Sequence, residues 1–204
     1  KKKSTSWGAV AQWYHEHLSS GDTYQEKIIA PNVARLLDLQ KEEHVLDAAC
    51  GEGFFERQYA KSGAALVGVD ISPELIAIAR KLSPEGVFHA APLGDLSFAE
   101  DESFDKAFSV LARQNIENIS QGIVEVARVL ISTGKFVIVL NHPCFRIPKR
   151  SSWGFDEKEK IQYRRLDAYL SESKEKIEMH PGKSARGEKT EKTYSFHRPL
   201  QVYS

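Results

Sequence analysis

Cysteine and methionine are scarce in this 204-residue chain, which holds two of the first and one of the second. Two thiols, Cys50 and Cys144, make no disulfide framework, and they fall at the ends of different predicted strands. That usage points to a reducing, cytoplasmic setting. Charge of one sign is not in excess: 28 Lys+Arg stand against 28 Asp+Glu. Nothing global therefore draws the chain to nucleic acid or to a membrane surface. Long hydrophobic runs are missing too. The longest apolar stretches are strand-sized, far from the roughly 20 residues of a membrane span. Lys1–Lys3 leads into polar residues and not into the apolar core of a secretory leader. Metal-ligand spacing is absent as well. His15-Glu16-His17 sets its histidines on different helix faces, unlike the i, i+4 pair of a zinc site. It reads as a solvated face, and no metal is expected.

What is present concentrates in residues 45–53, Val-Leu-Asp-Ala-Ala-Cys-Gly-Glu-Gly. An apolar strand end runs into a tight loop with two glycines, and a helix starts near Phe54. A second apolar run, residues 64–69, closes on Asp70. Small residues at 48–53 let a ligand lie against the backbone. Free N–H groups of the loop and helix start favour acceptor groups. A carboxylate at the tip of the next strand accepts from two ribose hydroxyls. Together these parts make a nucleoside-binding corner. The dinucleotide fingerprint Gly-x-Gly-x-x-Gly fails here, because Glu56 occupies its third glycine position.

Residues 44–111 resemble the class I S-adenosylmethionine-dependent methyltransferases. That family's loop, acid-x-Gly-x-Gly-x-Gly, reads here Asp47-Ala-Ala49-Cys-Gly51-Glu-Gly53, with a small alanine for the first glycine. Val69-Asp70-Ile71-Ser72-Pro73-Glu74, Ser103-Phe104-Asp105 and Arg128-Val129-Leu130 before Gly134 continue the likeness in order. The resemblance implies S-adenosylmethionine as methyl donor and S-adenosylhomocysteine as product. It implies that Asp47, Ala49, Gly51 and Gly53 line the methionine and ribose side. Asp70 would hold the ribose hydroxyls, and Ile71 would pack on the adenine. Main-chain groups around Pro92 and Leu93, rather than Asp95, would meet the adenine amino group. Leu111 would face the methionine part, and Tyr14 would close over the cofactor from the N-terminal helices.

The pattern from residue 44 alternates strand and helix. Strands are expected at 44–49, 64–70, 86–90, 106–111 and 135–141, with helices at 53–62, 73–82 and 120–131. Ser72 and Pro73 form a helix-start signal. The alternation predicts an α/β fold with a doubly wound, mostly parallel sheet, helices on both faces and right-handed crossovers. Residues 7–38 read as two N-terminal helices. The expected organisation is one domain: a helical cap at 1–40, a cofactor-binding core at 41–141, a lid inserted after the fifth strand at 142–198, and a truncated end at 199–204. In the lid, 14 Lys/Arg stand against 9 Asp/Glu. It is expected to hold a helix at 156–170 and a hairpin of 176–180 with 193–198 around a long loop. The family normally adds one more helix and a hairpin after this point. A longer natural chain is therefore expected.

Methyl transfer uses a donor that is already activated, so the protein mainly positions the acceptor and excludes water. By location, Asn115 after the fourth strand and Asn141 and His142 after the fifth are the candidate acceptor-orienting or catalytic groups. His142 alone among them has an ordinary pKa near neutrality. The reading is a methyltransferase moving a methyl group to an O, N or C atom of a small-molecule acceptor. Two rivals stand beside it: a catalytically silent nucleoside-binding domain serving a partner, and a dinucleotide-dependent oxidoreductase.

Overall fold

The computed structural model describes residues 7–19, 21–145, 147–178, 186–187, 190 and 192–202. By internal contacts it divides into two units. The first holds the described residues up to Val110 together with Asn118–Val139; the second holds Leu111–Glu117 and the described residues from Leu140 onward.

The first unit is built on five parallel strands: β1 (His44–Ala48), β2 (Ala65–Asp70), β3 (Val87–Ala90), β4 (Phe104–Val110) and β5 (Leu130–Val139), in spatial order β3-β2-β1-β4-β5. The order reverses beside β1, so β1 and β4 diverge in their connections. That switch point, at the strands' carboxyl ends, is where ligands of such sheets bind. Helices α1 (Ala11–Ser19), α2 (Ala30–Leu37), α3 (Phe54–Tyr59), α4 (Pro73–Leu82) and α5 (Ile119–Val129) belong to the same unit. One core cluster joins Leu18, Val33, Leu37, Val45, Phe55, Tyr59, Phe108 and Val137. Phe55 and Tyr59 both meet the Phe108 ring edge-on, at 6.2 and 5.7 Å, and the Tyr59 hydroxyl donates to the Ala30 carbonyl at 2.9 Å. A second cluster gathers Cys50, Ile76, Ala79 and Phe88.

The expected strands and helices of the core are present, with two changes. A π-turn at Gln25–Ile29 leads directly into α2, so that helix begins before Pro31 and carries it in its first turn. The fifth strand starts at Leu130, straight from α5, and not at 135 after a turn. Phe104 pairs with Leu130 and Lys106 with Lys135, so residues 131–134 stand opposite Asp105 as an irregularity in the ladder. Gly134 serves that bulge: a Cβ there would lie 2.8 Å from the Ile131 carbonyl oxygen.

The second unit carries two antiparallel hairpins. β6 (Ser151–Asp156) pairs with β7 (Ile161–Leu166), and β8 (Ser173–Glu178) with β9 (Lys192–His197). The helix expected at 156–170 is therefore replaced by a turn and a strand. Asp156 Oδ1 accepts the Lys158 and Glu159 amides at 2.9 and 3.0 Å, and Lys160 takes a φ of 55°, which folds Glu157–Lys160 into the reversal. The second expected hairpin is present. Residues 179–185 of its loop lie outside the described residues. Within this unit the Arg198 guanidinium donates to the carbonyls of Ile116 and Glu117, and Lys174 Nζ pairs with Glu117 at 2.7 Å. Those bonds tie 111–117 to the hairpins. Among the described residues no helix is long and apolar enough to cross a membrane, and no three His, Cys, Asp or Glu side chains form a metal-holding group. Cys50 and Cys144 are free thiols.

Candidate functional site

β1 ends at Ala48, and the chain turns back on itself over the next residues. The amides of Ala49 and Cys50 both donate to the Val69 carbonyl, at 2.8 and 2.9 Å, which anchors the loop to β2. Ala49, Gly51 and Gly53 have φ values of 75°, 58° and 73°. The left-handed region disfavours a Cβ, so alanine at 49 is strained and not the mild replacement its size suggested. At Gly53 a Cβ would also lie 2.9 Å from the Phe88 ring. At Gly51 it would meet only the Tyr14 ring, at 3.6 Å. The loop is thus pinned on its inner side and left open to Tyr14.

Asp70 closes the corner from β2. Its Oδ2 accepts the Gly51 amide at 3.0 Å, and its Oδ1 accepts the Ser72 amide at 2.8 Å. Burial pushes its carboxyl up, and the Ser72 and Gly51 amides pull it back down. Each oxygen keeps a further lone pair for a hydroxyl. Ile71, next in the chain, is 52% exposed beside this carboxylate. The Ala91 amide donates to the Asp70 carbonyl at 3.0 Å, bringing the segment after β3 alongside. There Pro92 is exposed, while the Leu93 side chain is buried against Gly122 of α5. Leu93 thus has only its main chain to offer a ligand. Asp95 accepts the Ser97 amide at 3.3 Å in a local turn.

Beneath the loop lie two carboxyls with no described donor in hydrogen-bond geometry. Asp47 on β1 and Glu56 on α3 are both buried, and all four carboxyl oxygens lack a hydrogen-bond partner. Burial pushes Asp47 well above the carboxylate range, and the neighbouring Glu56 charge pushes the same way. Burial lifts Glu56 to about 7. The Glu56 carboxyl occupies the space over Gly68 of β2, where any Cβ would collide with its Oε1. Tyr14, from α1, lies beside Gly51 of the loop. Its hydroxyl is raised by burial and by Glu52, Asp70 and Asp47.

Glu52 was not singled out by its sequence, yet it is almost completely buried. Its Oε2 meets His15 Nδ1 at 2.8 Å, and its Oε1 meets Arg57 at 2.8 Å. His15 therefore ties α1 to the glycine loop and does not lie on a merely solvated face. The one sequence signal was an acid enclosed between two loop glycines. Glu56 had a clearer signal: it fills the position where the dinucleotide fingerprint requires a glycine for close helix–strand packing.

Of the expected site residues, Asp47, Ala49, Gly51, Gly53, Asp70, Ile71, Pro92, Leu93 and Tyr14 belong to the first unit. Leu111, Asn115, Asn141 and His142 belong to the second. There Leu111 has a φ of 51°, and its carbonyl accepts from the Gln114 side chain. The Asn115 amide donates to Ala112 at 2.8 Å. His142 is exposed; its Nδ1 accepts the Cys144 amide at 3.2 Å and its ring meets Phe145 edge-on at 4.9 Å.

The donor set fits a cationic nucleoside. Unpartnered carboxyl oxygens sit under a loop of small residues, a half-used carboxylate stands at the tip of β2, and an apolar side chain is exposed beside it. Comparison with known proteins agrees. Residues 46–138 match the family model of a methyltransferase domain. A demethylmenaquinone methyltransferase of Tropheryma whipplei is 36% identical over 112 residues, which are 53% of this chain and 46% of that protein. The chain spans about half the length of the curated relatives it matches. An S-adenosylmethionine dependent methyltransferase from Mesorhizobium loti shares the fold with a TM-score of 0.68 and 27% identity, over 85% of this chain and 75% of that one. A protein of Listeria monocytogenes shares the fold alone, with a TM-score of 0.66 at 23% identity over 85% of this chain and 79% of its own. Over residues 46–138 by sequence, and by fold, the core of this chain is similar to the class I S-adenosylmethionine-dependent methyltransferases.

Proposed function

We propose that this chain transfers a methyl group from S-adenosylmethionine to a small-molecule acceptor. The observation that carries this reading is Asp70, held by the Gly51 and Ser72 amides at the end of β2 with Ile71 exposed beside it. In this reading Asp70 accepts the ribose hydroxyls and Ile71 covers one face of the base. Main-chain groups at Pro92 and Leu93 border its edge. Ala49, Gly51 and Gly53 let the cofactor approach the backbone. Asp47 answers its positive charge, and Tyr14 covers it over Gly51. Leu111 borders the methionine part. The bound donor supplies an already activated methyl group, so the protein's work is to bind, orient and exclude water.

Relatives named for demethylmenaquinone support a small-molecule acceptor. Asn115, Asn141 and His142 follow the ends of β4 and β5 in the chain and are proposed to orient that acceptor.

Incubation with S-adenosylmethionine and a mixture of small-molecule metabolites, quinols included, is expected to yield S-adenosylhomocysteine. His142→Ala is expected to lower turnover while leaving donor affinity unchanged. A lost general base would cost about 10²–10⁴-fold, and a lost orienting contact less. Binding of the donor with no turnover on any acceptor would leave a silent nucleoside-binding domain. Failure to bind the donor would end the reading.

A further inference from the structure

We propose that Asp47 and Glu56 act as a proton-holding pair beneath the glycine loop, and that this pair lets the chain tell the cationic donor from its neutral thioether product. The inference rests on the proposed use of S-adenosylmethionine, and it adds a residue, Glu56, that the family likeness does not assign.

The geometry begins where α3 meets β2. Glu56 lies in the first turn of α3, and its carboxyl fills the space over the bare Cα of Gly68. There it neighbours Asp47, the last residue but one of β1, under the loop. The two carboxyls act on each other directly, by charge and at a range where one proton can be shared between them, and the Glu56 amide and the Cys50 thiol also act on Glu56. None of the four oxygens has a described donor within full hydrogen-bond geometry. Two buried carboxylates side by side are strongly unfavourable when both are charged. The pair avoids that cost by keeping a proton. Such sites titrate together as one unit.

The surrounding groups supply one countercharge, Arg57, which pulls Glu56 down without cancelling the effect of burial. From β2 comes Asp70, from the loop the Cys50 thiol and Glu52, from α1 the Tyr14 hydroxyl and His15, and from α3 itself Tyr59 and Arg57. Arg57 is the one fixed cation among them. Its two terminal nitrogens are engaged by the carboxylate and the carbonyl of Glu52, at 2.8 and 2.6 Å. His15 is likewise paired with Glu52. The local field is therefore acidic, and an arriving positive charge is what the pair lacks.

A sulfonium supplies that charge and a thioether does not. When the donor binds, one carboxyl O–H of the pair breaks, its proton leaves to solvent, and the second carboxylate charge forms opposite the cation. Product binding needs no such step. Loss of the methyl group then leaves a doubly charged pair with nothing to face. It takes a proton back, and the product is held less tightly than the donor. Rising pH should favour the donor, because the proton no longer has to be removed.

Calorimetry on the intact chain, in buffers of different ionisation enthalpy between pH 6 and 8, reads proton release directly. S-adenosylmethionine is expected to release about half a proton or more near pH 7, and S-adenosylhomocysteine clearly less. The donor-to-product affinity ratio should rise on the order of tenfold across that range. In Glu56→Gln, which keeps the shape, the ratio should become flat. Equal proton release by both ligands, or a ratio that still rises in Glu56→Gln, would overturn the inference and leave the cofactor reading intact. If neither ligand binds, the cofactor reading falls and takes the inference with it.

Discussion

Asp70 and Ala49 show how much one residue decides at this corner. Asp70 holds both the loop, through Gly51, and the start of α4, through Ser72. In the proposed reading, Asp70→Ala takes the acceptor from two ribose hydroxyls; it also frees the Gly51 amide. Donor binding should weaken by about 1.5–3 kcal/mol, which calorimetry reads as a change in dissociation constant; an unchanged constant would show that the hydroxyls are held elsewhere. Ala49 sits at a φ of 75° where the family has glycine. Ala49→Gly should relieve that strain and stabilise the chain by about 1 kcal/mol, visible as a higher denaturant midpoint with the same slope. The places of these residues, in the loop and at the end of β2, could be read from the sequence, because loop spacing and strand ends are local facts. The strain at 49 could not, since a size comparison carries no information about φ. Glu52 was equally hidden. Its partners, His15 and Arg57, are brought to it only by the packing of α1 and α3.

Among the elements, those with strong end signals were the legible ones. α4 is the best case. Ser72 caps it by accepting the Leu75 amide at 3.3 Å, and its hydroxyl donates to Glu74 at 2.9 Å, with Pro73 in the first turn. Ser72→Ala should cost about 1 kcal/mol, and more if the Asp70–Ser72 contact shifts with it; chemical denaturation measures this, and an unchanged midpoint would mean that the cap contributes nothing. The segment after β5 was the illegible one. Asp156-Glu-Lys-Glu-Lys reads as helix because Glu and Lys favour helices. The alternation in Ser151–Asp156 and Ile161–Leu166 is the better guide, and the Asx turn at Asp156 decides between them. The start of β5 failed for a related reason. Gly134 resembles a turn between elements, whereas it eases a bulge inside one strand.

At the scale of the molecule, the parallel sheet was legible and the place of residues 111–117 was not. Alternating strands and helices predict a parallel sheet with right-handed crossovers. The order β3-β2-β1-β4-β5 came only with the structure, because handedness does not say on which side of β1 each strand is added. Likewise, 111–117 joins the hairpin unit through bonds from Arg198 and Lys174, partners distant in sequence. The buried acids give the whole chain a distinctive pH response. Unfolded, Glu56 ionises with a pKa near 4.5; folded, burial holds it to about 7. Between those values the folded chain binds the extra proton, so stability must fall as pH rises. At about 1.36 kcal/mol per unit the loss from Glu56 reaches at most about 3 kcal/mol, complete slightly above pH 7. Asp47 and Asp70, also pushed up, act in the same sense. His89, pushed down by burial and Arg80, acts in the opposite sense around its ordinary pKa. Comparing variants cancels these shared contributions. Glu56→Gln removes the carboxyl and keeps the shape, so it should be more stable than the native chain at pH 8 and lose that advantage by pH 4.5. Urea unfolding of both chains at the two pH values measures the difference. An advantage equal at both pH values would mean that Glu56 carries no buried charge in the folded chain.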